Sequence, residues 1–551
     1  MSKYLVTSAL PYANGRLHIG HLAGAYLPAD IYVKFLKICQ QDVIYICGTD
    51  EHGAPISIRA ESEKKKPQEI VKYFHKNILD SFTSVDINFD NFSGTSREEH
   101  HKLSQEFFLV LYENGKINTK VSKQTYCTHD KRFLPDRYIE GECPYCHAGG
   151  ARGDQCDSCG KLIDATLLIN PKCNICGNNP IIKETQHWYL DLPAFSDQLK
   201  KWLDTKKNWK DNVKKFILNW IDEGLIERAI TRDIDWGVPV PLNDSKDKVL
   251  YVWFDAPIGY ISSTIEWGIN NGKPDIWKDY WLDPSTNLVH FIGKDNIPFH
   301  AIIWPAILMG QNKEYTLPSE IPANEYLNLE GEKISTSRDF AVWVEDFVKD
   351  FDSDLLRYVL AVNAPESKDA DFSWKDFQAH VNNSLANVMG NFANRVFAFA
   401  KKNFCSILKK PSVNNPLISA ALIKEIYKNY TEFKVRKVVK LVMDLARDGN
   451  KLFNDAEPWA TIKNDVQSTQ NIIFFCADLL RIFSIIFYPI LPKSMRNLRK
   501  MMSLSDETIY WIDIFNVPEQ IIIGDFEPLF KKVEDKEIER QIELLKQHQK
   551  K

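Results

Sequence analysis

The apolar positions of this chain follow two rhythms. Up to about residue 375, short continuous runs of β-branched and aromatic residues alternate with helix-spaced stretches; beyond Asp376 only the helical spacing remains. The run at 4–7 (Tyr-Leu-Val-Thr) reads as a buried strand that breaks at Pro11 and Gly15 and passes into a helix near His18. A second, at 42–47, ends in Gly48-Thr-Asp50-Glu-His52-Gly53. Two more are read at 249–254 and 288–292, the last ending in Gly293-Lys294-Asp295. Continuous apolar strands alternating with helices predict a doubly wound, Rossmann-like parallel sheet covered on both faces. Between about 116 and 231 the text turns to Cys, Gly, Asp and Pro, which predicts an inserted module splitting that sheet into halves. Long amphipathic helices are expected over 381–404 and 423–453, and a charged helix with the stripe Ile538, Ile542, Leu545 over 533–551.

The expected class is therefore α/β, a Rossmann-like parallel sheet split by a zinc-binding insertion and followed by an all-α helical bundle. The boundaries read as 1–115 and 249–322 for the two sheet halves and 116–248 for the insertion. A loop region follows at 323–380, the bundle at 381–530 and a terminal helix at 531–551. A chain of 551 residues accommodates roughly three to four domains. No solenoid repeat or low-complexity tract interrupts the order.

Charge narrows the partners. A net charge of −4 provides no global attraction for nucleic acid, so such a partner must be met by local basic patches. No basic-then-apolar leader precedes the first strand, and no apolar run is read as approaching the ~20 residues of a membrane span. A cytoplasmic chain with no membrane partner is expected. Seven of the 11 cysteines fall between Cys127 and Cys176, and close-paired cysteines in such a chain favour metal over disulfides.

Chemistry concentrates at three places. His18-Ile-Gly20-His21 opens a helix with two imidazoles on one face. Free first-turn N–H groups and the helix dipole there would attract a triphosphate, and Gly20 would let a flat ligand approach the backbone. With 13 His and 24 Gly in 551 residues, chance supplies on the order of 0.01 such tetrads. Cys143-x-x-Cys146 and Cys156-x-x-Cys159, with Gly149, Gly150, Gly153 and Gly160 beside them, provide four thiolates suited to tetrahedral zinc. Cys173-x-x-Cys176 lacks a second pair; Cys127 with Asp130 or His129 could complete a second zinc site. Lys333-Ile334-Ser-Thr336-Ser337, after Gly331, places a lysine and hydroxyls on a loop that can reach phosphates. Alone, that loop reads more readily as solvated surface.

Together, His18-Ile-Gly-His21 and Lys333-Ile-Ser-Thr-Ser337 resemble the two signatures of class I aminoacyl-tRNA synthetases, and nearly the whole chain resembles the methionyl-tRNA synthetase family, on its archaeal and eukaryotic side. Ala9-Leu10-Pro-Tyr12, the Gly48–Gly53 segment, the cysteine insertion, Val252-Trp253-Phe-Asp-Ala256-Pro257-Ile-Gly-Tyr260 and Gly293-Lys-Asp295 carry the likeness. Thr336 stands where the family has its second signature lysine, so charge neutralisation would lean on Lys333 or another cation.

The resemblance implies a methionine–tRNA ligase, with methionine, ATP, Mg²⁺ and tRNA(Met) as partners. His18, His21 and Lys333 would be catalytic, and Tyr12, Asn14, Gly20, Gly293, Asp295, Ile334 and Thr336 would complete the ATP site. Ala9, Leu10, Tyr12, Trp253, Ala256, Pro257, Tyr260, Ile297 and His300 would enclose the thioether, for which aromatic faces are suited. Asp50 would hold the ammonium, and Arg232 would orient Asp50 or meet the carboxylate. Asn391, Arg395 and Trp459 would read the anticodon. Lys401, Lys402, Arg436, Lys437 and Lys440 would serve phosphates. Nothing after about Asp525 reads as a dimerisation domain, so a monomer is expected. The alternatives are a small-molecule nucleotidyltransferase, disfavoured by the cysteine insertion and helical region, and a non-catalytic binding module, disfavoured by intact His18, His21, Asp50 and Lys333.

Overall fold

The computed structural model describes residues 2–549 apart from 154, 155, 157, 160, 162, 337 and 506. Ser337 of the Lys333 loop and Gly160 thus lie outside the described residues. Five strands, β1 (Lys3–Ser8), β2 (Asp42–Thr49), β3 (Asn91–Gly94), β4 (Asn287–Gly293) and β5 (Ala323–Asn324), form one sheet in the order β5-β4-β1-β2-β3. Every pairing in it is parallel, with Val6 opposite Tyr45 on one side and Val289 on the other. From β1 the chain winds outward through β2 and β3, then returns to build β4 and β5 on the opposite side. The order reverses between β1 and β4, and open parallel sheets bind ligands beyond the strand ends at such a reversal.

Helices α1 (Leu27–Ile38), α2 (Pro67–Ser84) and α3 (Glu98–Glu113) accompany the first half of the sheet. The insertion stands on an antiparallel ribbon, Ile117–Cys127 against Ile181–Leu190, whose register runs from Ile117↔Leu190 to Tyr126↔Ile181. Beyond the ribbon a three-stranded sheet (Ile139–Glu142, Ala151–Arg152, Ile169–Cys173) surrounds the cysteines. Its small core contains Leu134, Tyr138, Ile139 and Leu168 together with Ala54, Ile58 and Ile234, so the cysteine module sits on the segment that follows β2.

Two of the expected elements differ in the structure. The strand read at 249–254 is only Val249–Leu250, paired antiparallel with Thr231–Arg232; from Val252 to Asp255 the chain is helical and outside the main sheet. The amphipathic stretch 423–453 is two helices that part at Phe433, whose φ of 58° no right-handed helix contains.

The helical region contains α4 (Ser353–Val362), α5 (Asn391–Asn403), α6 (Ala420–Thr431), α7 (Val435–Asp455), α8 (Val466–Ile486), α9 (Pro492–Met501) and α10 (Asp535–Gln549). Between 380 and 390 the expected helix is π-wound. The 21-residue α8, whose 18-residue apolar window has mean hydropathy 1.5, is long and apolar enough to cross a bilayer, against the sequence reading; 83% of that window is buried in this protein, which makes it the core of the bundle. Ile538 and Leu545 of α10 are buried as their spacing predicts.

One buried cation joins sheet and bundle. Arg357 on α4 donates from Nη2 to Asp30 Oδ2 of α1 at 2.6 Å and to Pro489 O at 2.8 Å, from Nη1 to Val85 O at 3.0 Å and from Nε to Ile490 O at 2.9 Å. Deleting one partner of a buried ion pair typically costs about 3–5 kcal/mol, because the other charge stays buried. Arg357→Met should therefore lower the urea unfolding midpoint clearly. Lys428→Ala, which removes an exposed i,i+4 pair with Glu432, should barely move it. Equal midpoints for the two variants would show that the Arg357 junction carries no stability.

Candidate active site and metal sites

At the carboxyl end of β1 the chain crosses the mouth of the sheet. Ala9 N–H donates to Phe291 O of β4 at 3.0 Å, and Asp50 N–H donates to Pro11 O at 2.9 Å, pinning 9–13 between β4 and the turn after β2. Tyr12 and Asp50 then form an isolated parallel bridge. The helix at His18 begins with a single turn, Ile19–His21, and widens into a π turn over Leu22–Tyr26 before α1. Such widened turns gather at functional sites. The His18 and His21 rings stack with centroids 3.7 Å apart.

Most of the amides here are engaged: His18 N–H is bonded to His21 Nδ1 at 3.2 Å, Ile19 N–H to Val342 O at 3.0 Å, and His21 N–H to His18 O at 3.0 Å. Burial lowers His18 well below the ordinary histidine range and His21 to about 4, so both are neutral near pH 7. Because His21 Nδ1 accepts from His18 N–H, its proton is assigned to Nε2. Among the described residues, His18 Nδ1 is buried with no hydrogen-bond partner, as befits a ligand-facing atom.

Gly20 has a steric reason that the sequence did not show. A Cβ there would meet the His18 ring and Ile334 Cδ1 at 3.0 Å, so the glycine admits the Lys333 loop itself. That loop is anchored on both sides. Leu327–Leu329 pairs with Glu332–Lys333, Ser335 bridges to Phe340, and Val344 N–H donates to Leu17 O at 3.0 Å. Arg16 pairs with Glu345 and Asp346 and lies 4.9 Å over the Trp343 ring. Lys333 and Thr336 are exposed. Lys333 Nζ sits 5.3 Å over the Tyr326 ring, Lys294 Nζ 4.0 Å over it, and the Tyr326 hydroxyl donates to Asp295. Tyr326, which no motif flagged, thus links the Lys333 loop to the end of β4.

On the other side of β1 a second set converges. Asp50 is buried, and its carboxyl is pushed well above the usual range by desolvation first and then by the charge of Asp255; hydrogen bonds from the His52 backbone and Tyr12 oppose this. His300, on the π turn Phe299–Ile303, donates from Nδ1 to Asn296 O at 3.1 Å, so its Nε2 accepts from the Tyr260 hydroxyl at 2.8 Å. Trp253 meets Phe299 edge to face at 4.3 Å. Ala256, Pro257 and Ile258 form the turn that joins Trp253 to Tyr260, and Ile297 is buried beside them. Arg232 lies with its guanidinium 3.5 Å over Tyr251, lining with Trp253 and Ile303 a cavity of about 210 Å³.

The cysteines assemble into two four-ligand groups whose donor atoms lie within 4.8 Å of one another: Cys143, Cys146, Cys156, Cys159, and Cys127, Asp130, Cys173, Cys176. Sulfurs bound to one tetrahedral zinc at ~2.3 Å stand about 3.8 Å apart. Here Cys143–Cys159 is 3.9 Å, Cys146–Cys156 3.7 Å and Cys127–Cys176 3.5 Å. Asp130 Oδ2 lies 3.2 and 3.1 Å from the sulfurs of Cys127 and Cys173, while the exposed His129 only meets Asp130 Oδ1, at 2.9 Å. Of the two ligands left open by the sequence, Asp130 is the one turned inward. Each group could hold a metal ion.

Comparison with known proteins fits this geometry. The family described as tRNA synthetases class I (M) matches residues 4–397, and the anticodon binding domain of methionyl tRNA ligase matches 416–547. A methionine–tRNA ligase of Pyrococcus furiosus is 48% identical over 98% of this chain and 76% of its own length. One from Bacteroides fragilis is 47% identical over 98% of this chain and 80% of its own. This chain belongs to the methionyl-tRNA synthetase family. The fold agrees: the Mycobacterium tuberculosis methionyl-tRNA synthetase, solved in complex with methionyl-adenylate, superposes with a TM-score of 0.80 at 23% identity, covering 96% of this chain and all of that one.

In this synthetase-family fold the helical region presents a compact exposed cluster. Arg395 Nη2 donates to Asn454 Oδ1 at 2.5 Å and its guanidinium lies 4.5 Å over Phe453, which in turn meets Trp459 at 6.3 Å. Asn391 is exposed one turn before Arg395, and Trp459 is 52% exposed after the left-handed Glu457. An open groove of about 1680 Å³ between Trp209–Asp211, Glu320–Pro322 and 431–447 is separate from the strand-end site; Arg436, Lys437 and Lys440 line it, whereas Lys401 is paired with Asp525 elsewhere.

If both cysteine groups are filled, elemental analysis of protein purified without chelator should give two thiolate-bound metal ions per chain. Asp130→Ala, which removes one ligand from the second group only, should bring the value near one. A value near zero in folded protein would remove the metal reading altogether.

Proposed function

We propose that the strand-end cleft joins methionine to tRNA in two steps. The methionine carboxylate attacks the α-phosphorus of ATP in line, forming methionyl adenylate as pyrophosphate leaves; the acyl group then passes to the 3′-terminal ribose of tRNA(Met). No protein nucleophile is needed, so catalysis is positioning and charge stabilisation. The single observation that carries this reading is the docking of the His18–His21 turn against Ile334 of the Lys333 loop, two segments more than 300 residues apart, on the same crossing of the sheet that bridges Tyr12 to the buried Asp50.

His18 and His21 serve as neutral hydrogen-bond donors to the phosphates, which suits imidazoles whose burial keeps them uncharged. Lys333 supplies the mobile cation, and Mg²⁺ arriving with ATP supplies charge on the departing pyrophosphate. Tyr12, Asn14, Gly20, Ile334 and Thr336 border the nucleotide, with Gly293 and Asp295 at the end of β4. Asp50 takes the ammonium, and Arg232 orients Asp50 or meets the carboxylate. Ala9, Leu10, Tyr12, Trp253, Ala256, Pro257, Tyr260, Ile297 and His300 enclose the thioether, and the hydrogen bond from the Tyr260 hydroxyl to His300 fixes both rings. The donor sets and spacings of the two cysteine groups suit structural zinc. Asn391, Arg395 and Trp459 read the anticodon, and Lys402, Arg436, Lys437 and Lys440 meet phosphates. The chain acts in the cytoplasm.

The deciding experiment is ATP–pyrophosphate exchange across the standard amino acids, in which methionine alone should support turnover. His21→Ala should lower kcat by ~100- to 1000-fold, the usual cost of one transition-state donor. Trp459→Ala should leave exchange intact while tRNA charging falls about 5- to 150-fold in kcat/KM, the worth of one stacked base. Unimpaired exchange in His21→Ala would mean that the histidine pair is structural; parallel loss of exchange and charging in Trp459→Ala would make that residue a fold element.

A further inference from the structure

Behind the Asp50 turn lies a buried row of polar side chains that the two-step reaction does not use. His52 Nδ1 stands 2.7 Å from Asp255 Oδ2, and His100 Nε2 stands 3.3 Å from the same oxygen. At the outer end His101 Nε2 meets His52 Nε2 at 3.2 Å; at the inner end Ser262 Oγ meets His100 Nδ1 at 3.0 Å and Ser104 Oγ meets its Nε2 at 3.2 Å. The row ties together the turn after β2, the start of α3 and the Val252–Asp255 helix that carries Trp253. His52, His100 and Asp255 also make a donor set for a metal ion. Two ligands of one tetrahedral zinc at ~2.0–2.1 Å stand about 3.3 Å apart, however, and 2.7 Å between His52 and Asp255 is a hydrogen-bond length. The row is a hydrogen-bonded network.

Asp255 is fully buried, and its second oxygen, Oδ1, has no hydrogen-bond partner among the described residues. Burial opposes its ionisation, but the facing His52 and His100 outweigh that and hold its carboxyl below the usual range. Burial also keeps His100 below the ordinary histidine value and His101 near about 4, so near pH 7 these two rings do not cancel a neighbouring charge. Glu51, the other buried acid here, is satisfied separately by Thr49, Ser96 and His75. Asp50 faces the same space, with His52 N–H 3.4 Å from its Oδ1. Asp255 thus holds the His52 side chain, whose backbone N–H meets Asp50, and its charge is close enough to raise the Asp50 carboxyl.

We infer that Asp255 is a positioning residue for the amino-acid substrate: it holds the His52 side chain and so, through the His52 backbone N–H, fixes the Asp50 carboxylate. The inference rests on the assignment of Asp50 to the methionine ammonium given above. It also gives a reason for the Val252–Asp255 turn to be helical, since the turn delivers Asp255 inward while Trp253 faces the pocket aromatics.

The test is exchange kinetics on the full chain, with methionine and ATP varied separately. Asp255→Asn preserves shape and removes the charge; it should raise the methionine KM about 10- to 100-fold, the range for hydrogen bonds to charged groups, with kcat within about threefold and the ATP KM unchanged. The acid limb of kcat/KM for methionine should also move to lower pH, because Asp50 loses a charged neighbour, and a purely structural role would not move it. His52→Asn, whose amide can donate from the Nδ1 position, should retain most methionine affinity, and His52→Ala should lose it. This pair decides the question if Asp255→Asn does not fold. An unchanged methionine KM in Asp50→Asn would overturn the pocket assignment itself. A lost affinity in Asp50→Asn beside an unmoved KM and acid limb in Asp255→Asn would overturn this inference alone, as would equal losses toward methionine and ATP.

Discussion

The placement of β1 between β2 and β4 is the constraint on which the rest of the molecule depends. Six residues, Lys3–Ser8, pair in parallel on both sides with segments that lie about 40 and 280 positions away in the chain. Because the strand order reverses there, the backbone leaving Ser8 has no helix above it and must cross the open end of the sheet. That crossing brings Ala9–Tyr12 against the ends of β2 and β4 and delivers His18 to the segment after the Lys333 loop. The insertion can occupy 116–248 without disturbing this, because it enters and leaves through one antiparallel ribbon at the side of the sheet.

The cleft separates two kinds of charge. Toward the nucleotide side the protein offers neutral, buried imidazoles and keeps its cations, Lys333 and Lys294, on the surface around Tyr326. On the other side of β1 it buries the carboxyls of Asp50 and Asp255, the latter facing His52. An apolar enclosure makes each of these choices more consequential, since a charge in low dielectric is costly until its partner arrives. A zwitterionic amino acid and a polyanionic nucleotide would meet complementary surfaces on the two sides of β1.

Much of this was legible in the sequence, for identifiable reasons. Strands at 4–7, 42–47 and 288–292 announced themselves because parallel strands buried on both faces are continuously apolar, and the cysteine groups because ligand spacing is local. The 249–254 run failed since Tyr, Val, Trp and Phe serve equally well in a short helix packed on all sides. Helix α8 escaped notice because its polar residues, such as Asp478 and Arg481, interrupt the apolar run while pairing with each other inside the core. Tyr326, Arg357 and the His52–Asp255–His100 row carry no local signature at all; their roles come from contacts between residues tens to hundreds of positions apart. The resemblance to a synthetase family supplied the pocket residues that periodicity alone would have assigned to the core.

The most direct measurement is a crystal structure with a non-hydrolysable methionyl-adenylate analogue bound. The account predicts density across the end of β1, with the ammonium at Asp50, the thioether among Trp253, Tyr260 and His300, and the phosphate mimic beside His18 and His21 under the Lys333 loop. Density confined to the groove between Trp209 and Arg447, or an ammonium placed away from Asp50, would contradict it.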